Sequence, residues 1–110
     1  MPASELDGAI LVPALNMAIQ LQQELARLRI ASDVHNGYGL ALVSVWVGLI
    51  VWCDGGRFWW RTGWEARRQR FIYDWHPSME PSLAAHRIAF RYAQLRASHP
   101  LSTLVAEVQP

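Results

Sequence analysis

Between residues 9 and 29 the apolar positions recur at spacings of four and three. Ala14, Ala18, Leu21, Leu25 and Leu28 form one stripe, which is the spacing of a single helical face. Leu11, Leu15 and Ile19 widen the stripe, and Gln20, Gln23, Glu24 and Arg27 fall outside it. A stripe this wide predicts a helix packed on two sides. Pro13 suits a first helical turn, where its missing N–H costs nothing. It predicts that the helix proper begins near Val12, with Ser4 to Leu11 as a separate short turn.

The period then changes. Ile30 to Asn36 reads as an irregular first strand, and Tyr38 between Gly37 and Gly39 as a turn. Leu40 to Val47 and Leu49 to Cys53 are rich in Val, Ile and Leu and read as strands. Asp54-Gly55-Gly56 tolerates positive φ and predicts a hairpin. Arg57 to Thr62 is the return strand, Gly63 to Gln69 a polar basic loop, and Arg70 to Trp75 a last strand stopped by Pro77. A second helix follows over 81–98. Pro81 suits its first position, with Ser78 or Glu80 near the cap. Ala84, Ile88, Tyr92 and Leu95 make its inward stripe, and Pro100 ends it. Leu101, Leu104, Val105 and Val108 keep a helical period, a tail suited to docking on the body or on a partner. The pattern predicts one α+β domain over 1–110, with its core at about 9–98. An N-terminal helix, a four- or five-stranded antiparallel sheet and a C-terminal helix compose it.

Alternation within the strands carries the main functional inference. Strict alternation puts Leu40, Leu42, Ser44 and Trp46 on one face of the second strand and Ala41, Val43, Val45 and Val47 on the other. Leu49, Val51 and Cys53 oppose Ile50 and Trp52 in the next. Both faces are apolar, whereas a half-solvated antiparallel sheet should carry polar residues on one. Two helices cover one face. The other then needs a further cover, and a second copy of the chain is the simplest, because two-fold dimers dominate soluble oligomers.

Composition sharpens this picture. The chain has 110 residues, room for one modest core. It is 52% hydrophobic and 17% charged, which argues against disorder and for apolar surface left to a partner. All ten basic residues are Arg, and this usage, with abundant Ala, Val and Trp, suggests a GC-rich, actinobacterial source. Residues 1–56 carry a net charge of −3 and residues 57–99 of +5, so an anionic partner would be sought in the second half. Cys53 is the only cysteine, which leaves no intramolecular disulfide. The longest apolar run, Leu40 to Cys53, is shorter than the roughly 20 residues of a spanning helix. Met1 to Asp7 has no basic segment ahead of an apolar run, unlike a signal peptide. A cytoplasmic location with no membrane contact is the expectation.

Candidate chemistry is sparse. In Arg57-Phe58-Trp59-Trp60-Arg61-Thr62-Gly63-Trp64 the residues Arg57, Trp59 and Arg61 share one strand face and Phe58 and Trp60 the other. Phe71, Tyr73 and Trp75 share a face of the last strand. Arg57, Trp59, Arg61, Trp64, Tyr73 and Trp75 are therefore candidates to hold a ligand or partner by cation–π contact and stacking. The competing reading buries half of these aromatics and lays the Arg stems over the rest. Arg67, Arg68 and Arg70, with Arg87 and Arg91, are a candidate basic patch. A net charge of +1 makes even weak nucleic-acid binding the lesser expectation, and no helix-turn-helix pattern is visible. Asp33-Val34-His35 and Asp74-Trp75-His76 carry metal-ligand chemistry only if they converge. Cys53 reads as a small buried hydrophobe rather than a nucleophile. No phosphate loop, dinucleotide fingerprint, nucleophile elbow or zinc spacing is present, so neither cofactor nor catalytic residue is implied.

The run Gly37-Tyr38-Gly39-Leu40-Ala41-Leu42-Val43-Ser44-Val45 with Phe58-Trp59-Trp60 resembles small actinobacterial α+β proteins with a Trp-Trp-containing hairpin. The likeness covers roughly residues 20–98, judged by the order of the motifs. It supports the fold and supplies no activity. The expectation is thus a non-enzymatic interaction or regulatory module, homodimeric and open to a protein partner. The alternatives are a small-molecule binder or small enzyme with a Trp-lined pocket between sheet and helix, and a weak nucleic-acid binder.

Overall fold

A computed structural model describes residues 3–37 and 39–98, with side chains from residue 14 onward. The expectations for Tyr38, for the Leu11 side chain and for the tail 99–110 lie outside the described residues.

The element order is α1 (Ala3–Arg27), β1 (Asp33–Gly37), β2 (Leu40–Trp46), β3 (Leu49–Cys53), β4 (Arg57–Glu65), β5 (Arg70–Pro77) and α2 (Pro81–Ser98). The five strands form one antiparallel sheet in sequence order, a meander with β1 and β5 at its edges. This is the α+β fold the pattern predicts. Both helices lie on one side of the sheet. Ala14, Ala18, Leu21 and Leu25 of α1 and Ala84, Ala85 and Ile88 of α2 are buried against Ala41, Val43, Val45, Leu49, Val51, Cys53, Phe58 and Trp60. The stripes expected on both helices therefore face the core. Ile19, expected to widen the α1 stripe, is exposed.

Pro13 corrects one expectation. It lies inside α1, which runs unbroken from Ala3, so Ser4 to Leu11 is not a separate turn. A proline inside a helix removes one hydrogen bond and strains the preceding turn, yet α1 is continuous through it. The far end of α1 closes with a Schellman motif. Ile30 donates to the Leu25 carbonyl and Arg29 to that of Ala26, both at 2.9 Å. Arg29 stands at φ 63°, where glycine is the usual occupant. Ile30 is buried as the apolar stopper of this cap rather than forming the start of β1.

Turn chemistry sets the register. Asp54 Oδ1 accepts from the Gly56 and Arg57 N–H groups at 2.8 and 3.0 Å, and Gly55 takes φ 94°. Ser78, buried, donates its hydroxyl to the Gly55 carbonyl at 2.8 Å, and its N–H meets the Gly56 carbonyl at 3.1 Å. Ser78 thus pins the β3–β4 turn to the lead-in of α2 and does not cap the helix. The residue before Pro81, Glu80, supplies the first helical carbonyl, to Ala84.

Two bulges change the phase of the side chains. One lies between Ser44 and Trp46 of β2. It sends Trp46 to the helix side, where its ring meets Tyr92 edge-on at 5.8 Å. Strict alternation had placed Trp46 with Leu40 and Leu42. The other lies between Arg61 and Gly63 of β4. Beyond it β4 continues through Trp64 and Glu65, so the expected loop from Gly63 shrinks to the turn at 66–69. The Trp64–Phe71 ring contact at 4.8 Å and the Glu65–Arg70 pair at 3.3 Å extend the hairpin.

Candidate functional site

The face of the sheet away from the helices is the principal candidate. Alternation places Val34, Val43, Val51, Phe58 and Trp60 toward the helices and their strand neighbours on the opposite side. That opposite side carries Leu40, Leu42, Ile50, Trp52, Trp59, Tyr73 and Trp75. One row crosses all five strands, from His35 through Leu42, Trp52 and Trp59 to Trp75. The bulge in β4 adds Trp64 to this side, opposite Phe71. Trp64, Tyr73 and Trp75 are each about half exposed, at 52, 48 and 53%. No described element covers them.

The rings are ordered by one another. Trp52 stacks on Trp59 at 6.5 Å with 16° between planes, and meets Tyr73 edge-on at 6.2 Å. Arg57 lies 5.6 Å from the Trp75 centroid and Arg61 3.4 Å from that of Phe71. Among the described residues neither guanidinium has an acidic partner. Arg57, Asp54, Trp59, Tyr73, Asp74 and Trp75 line a depression of about 390 Å³. A second, of about 270 Å³, lies between Leu40, Trp52, Trp59 and Tyr73. The six candidates Arg57, Trp59, Arg61, Trp64, Tyr73 and Trp75 thus share one side of the sheet. Phe58 and Trp60 are the aromatics that go to the core. Leu42, Ile50 and Trp52 complete the surface, and the alternation of β2 and β3 already contained them.

The five arginines of the candidate patch divide among the β4–β5 turn, the start of β5 and α2. Arg68 and Arg70 flank Glu65 at 3.5 and 3.3 Å, and Arg67 is exposed beside them on the turn. Arg87 of α2 pairs with Asp74, and also donates to the Trp75 carbonyl at 2.7 Å. Burial raises the Asp74 pKa, but hydrogen bonds from Arg87 and the Trp75 N–H, with the charges of Arg87 and His76, outweigh it and hold the carboxyl below its ordinary value. Arg91 lies one turn further along α2, partly buried. Three of these five charges are therefore already answered by carboxylates.

The two Asp-x-His pairs do not converge. Asp33 and His35 are on edge strand β1 and Asp74 and His76 on the opposite edge, β5. His76 faces Glu80 at 3.0 Å. Among the described residues no group of three or more potential metal ligands forms. Cys53 is fully buried, and desolvation, with the neighbouring Asp54 charge, pushes its thiol pKa up despite a hydrogen bond from the Gly55 backbone. A thiol held protonated is a poor nucleophile. Among the described residues no helix is long and apolar enough to cross a membrane.

Comparison with protein-family models, with curated proteins and with solved structures found no match.

Proposed function

We propose that the chain is a non-enzymatic protein-interaction or regulatory module that assembles as a homodimer through the open face of its sheet. The observation that carries this reading is the aromatic surface on the side the helices leave bare. Five strands spaced about 4.8 Å apart and about 25 Å long span roughly 500 Å² in projection, and protruding rings add to that. A stable interface needs about 800 Å² of accessible surface per partner, so the face is of the right order.

Its chemistry is self-complementary. Arg57 and Arg61 share the face with rings able to accept a second copy's guanidinium. Asp33 is level with Ser44 and Ile50. Following the pairing one residue along from Val51–Trp60 brings that level to Arg61 and Tyr73. A two-fold axis along the strands through mid-sheet lays β1 of one copy over β5 of the other, and β2 over β4. Asp33 then opposes Tyr73, one strand from Arg61, and His35 opposes Trp75. Packed sheets of this kind bury their facing side chains in a layer about 10 Å thick. A cytoplasmic setting and kinship with small actinobacterial α+β proteins belong to the same reading.

Sedimentation equilibrium tests it. The native chain should be dimeric at micromolar concentration, and Tyr73→Glu with Trp75→Glu should be a folded monomer. Both side chains are exposed in the single chain, so their replacement spares its core. A native chain that sediments as a clean monomer, or a double variant that stays dimeric, defeats the proposal.

A further inference from the structure

A groove on the helix-covered side lies between α2 and the β4–β5 hairpin, with a volume of about 450 Å³. It is lined by Trp60, Asp74, Arg87, Phe90, Arg91 and Gln94, among others. Volumes of about 300–1,000 Å³ with apolar walls and a few convergent polar groups are typical of small-ligand sites.

Each wall brings a different property. Trp60 is the apolar floor, otherwise buried. Phe90 is 69% exposed and brings an accessible ring to the wall. Arg87 is held over the Trp60 ring at 5.3 Å, its charge already spent on Asp74. Arg91 differs. Its Nε is shut off from solvent with no hydrogen-bond partner, and among the described residues it has no acidic neighbour. The shielded Nε, without an acceptor, is poorly solvated, while the two terminal nitrogens are not among the shielded atoms. A planar carboxylate matches that terminal pair by two parallel hydrogen bonds. With Asp74 paired to Arg87, the groove is left with the unopposed charge of Arg91.

From this we infer that the groove binds a small aromatic carboxylate, its anionic end on Arg91 and its ring against Phe90. The site goes beyond self-association and is independent of it, because it lies on the other side of the sheet. One free guanidinium suits a carboxylate better than a phosphate, which ordinarily gathers several donors.

Titration of the ¹⁵N-labelled protein with 2-naphthoate tests the inference. Saturable shifts are expected at Gln94 and Phe90, with a Kd at or below about 1 mM. Neutral 2-naphthamide should bind at least tenfold more weakly. Arg91→Gln should weaken naphthoate binding about tenfold or more, and Arg91→Lys, which keeps the charge but loses the fork, by less. Arg91→Lys keeps the test open if Arg91→Gln fails to fold. Trp75→Ala, on the open face, should leave binding unchanged. Absence of saturation, equal binding of the amide, inorganic phosphate competing as well as naphthoate, or undiminished binding by the Arg91 variants would each overturn it.

Discussion

Trp59 and Trp60 are adjacent in sequence and lie on opposite sides of β4. Trp60 is 1% exposed beneath α2, whereas Trp59 belongs to the row of rings on the bare side. The difference is one of neighbours. Trp60 belongs to the buried cluster that both helices and the strands form, with Arg87 over its ring. Trp59 stacks on Trp52 and pairs across the strands with Trp75. The sheet therefore has two apolar faces with different energetic roles. The inner one stabilises the single chain, and the outer one contributes little until something covers it.

The sharpest test of that contrast is truncation on each side. Trp60→Ala should cost about 3–5 kcal/mol, as for large aromatic deletions in cores. Trp75→Ala, on the outer side, should cost about 1 kcal/mol or less, the scale of a cross-strand pair. Urea denaturation under dilute, monomeric conditions reads both. Equal losses would erase the distinction between the faces. On the proposed dimer, the Trp75→Ala deficit should grow at high concentration, because association adds stability by mass action.

The next effect concerns the pin between the hairpin and α2. Ser78→Ala removes the hydroxyl bonded to the Gly55 carbonyl and leaves a shielded acceptor. The expected loss is about 1–3 kcal/mol, with hydrogen exchange accelerated first in the β3–β4 turn. This loss belongs to the inner side, so it should not depend on protein concentration.

Acid acts at the β5 edge. The folded Asp74 carboxyl has a lowered pKa, so its contribution is present above the unfolded value near 4 and lost as pH falls through the folded one. The pair with Arg87 is about 40% exposed on each side, so its contribution is no more than about 0.2–1 kcal/mol. Asp74→Asn should flatten the stability profile below pH 4 in thermal unfolding. The smallest change expected is a gain. Arg29→Gly relieves the left-handed strain of the α1 cap, about 1–2 kcal/mol, less the added entropy of an unfolded glycine, about 0.5–1 kcal/mol. A net rise of up to about 1 kcal/mol in thermal stability is expected.

Periodicity and turn chemistry made most of the fold readable in the sequence. The α2 span, the β3 limits and the Asp54-Gly55-Gly56 hairpin follow directly from Pro81, the Val/Ile-rich run and the positive-φ residues. The two bulges did not. In β2 both strand faces are apolar, so one added residue leaves no mark on the pattern, and Trp46 reads equally well on either side. Pro13 misled because local preference for a first turn yielded to the continuity of a long helix. For the candidate site, alternation separated Phe58 and Trp60 from Arg57, Trp59 and Arg61. It did not reveal that Trp64 joins the latter, nor the groove under Phe90, which exists only because α2 passes beside β5 without covering it.

The bulge between Arg61 and Gly63 has a consequence for how this surface can change. Ahead of it the odd-numbered positions of β4 face outward, and beyond it the even-numbered ones do. Thr62 is the residue that the bulge adds. Deleting it would join Arg61 to Gly63 and restore plain alternation, with Trp64 still outward opposite Phe71. The strand would lose its irregularity without losing an aromatic from the outer face, so the row of rings tolerates this change of length as a ladder tolerates the loss of a spacer between rungs.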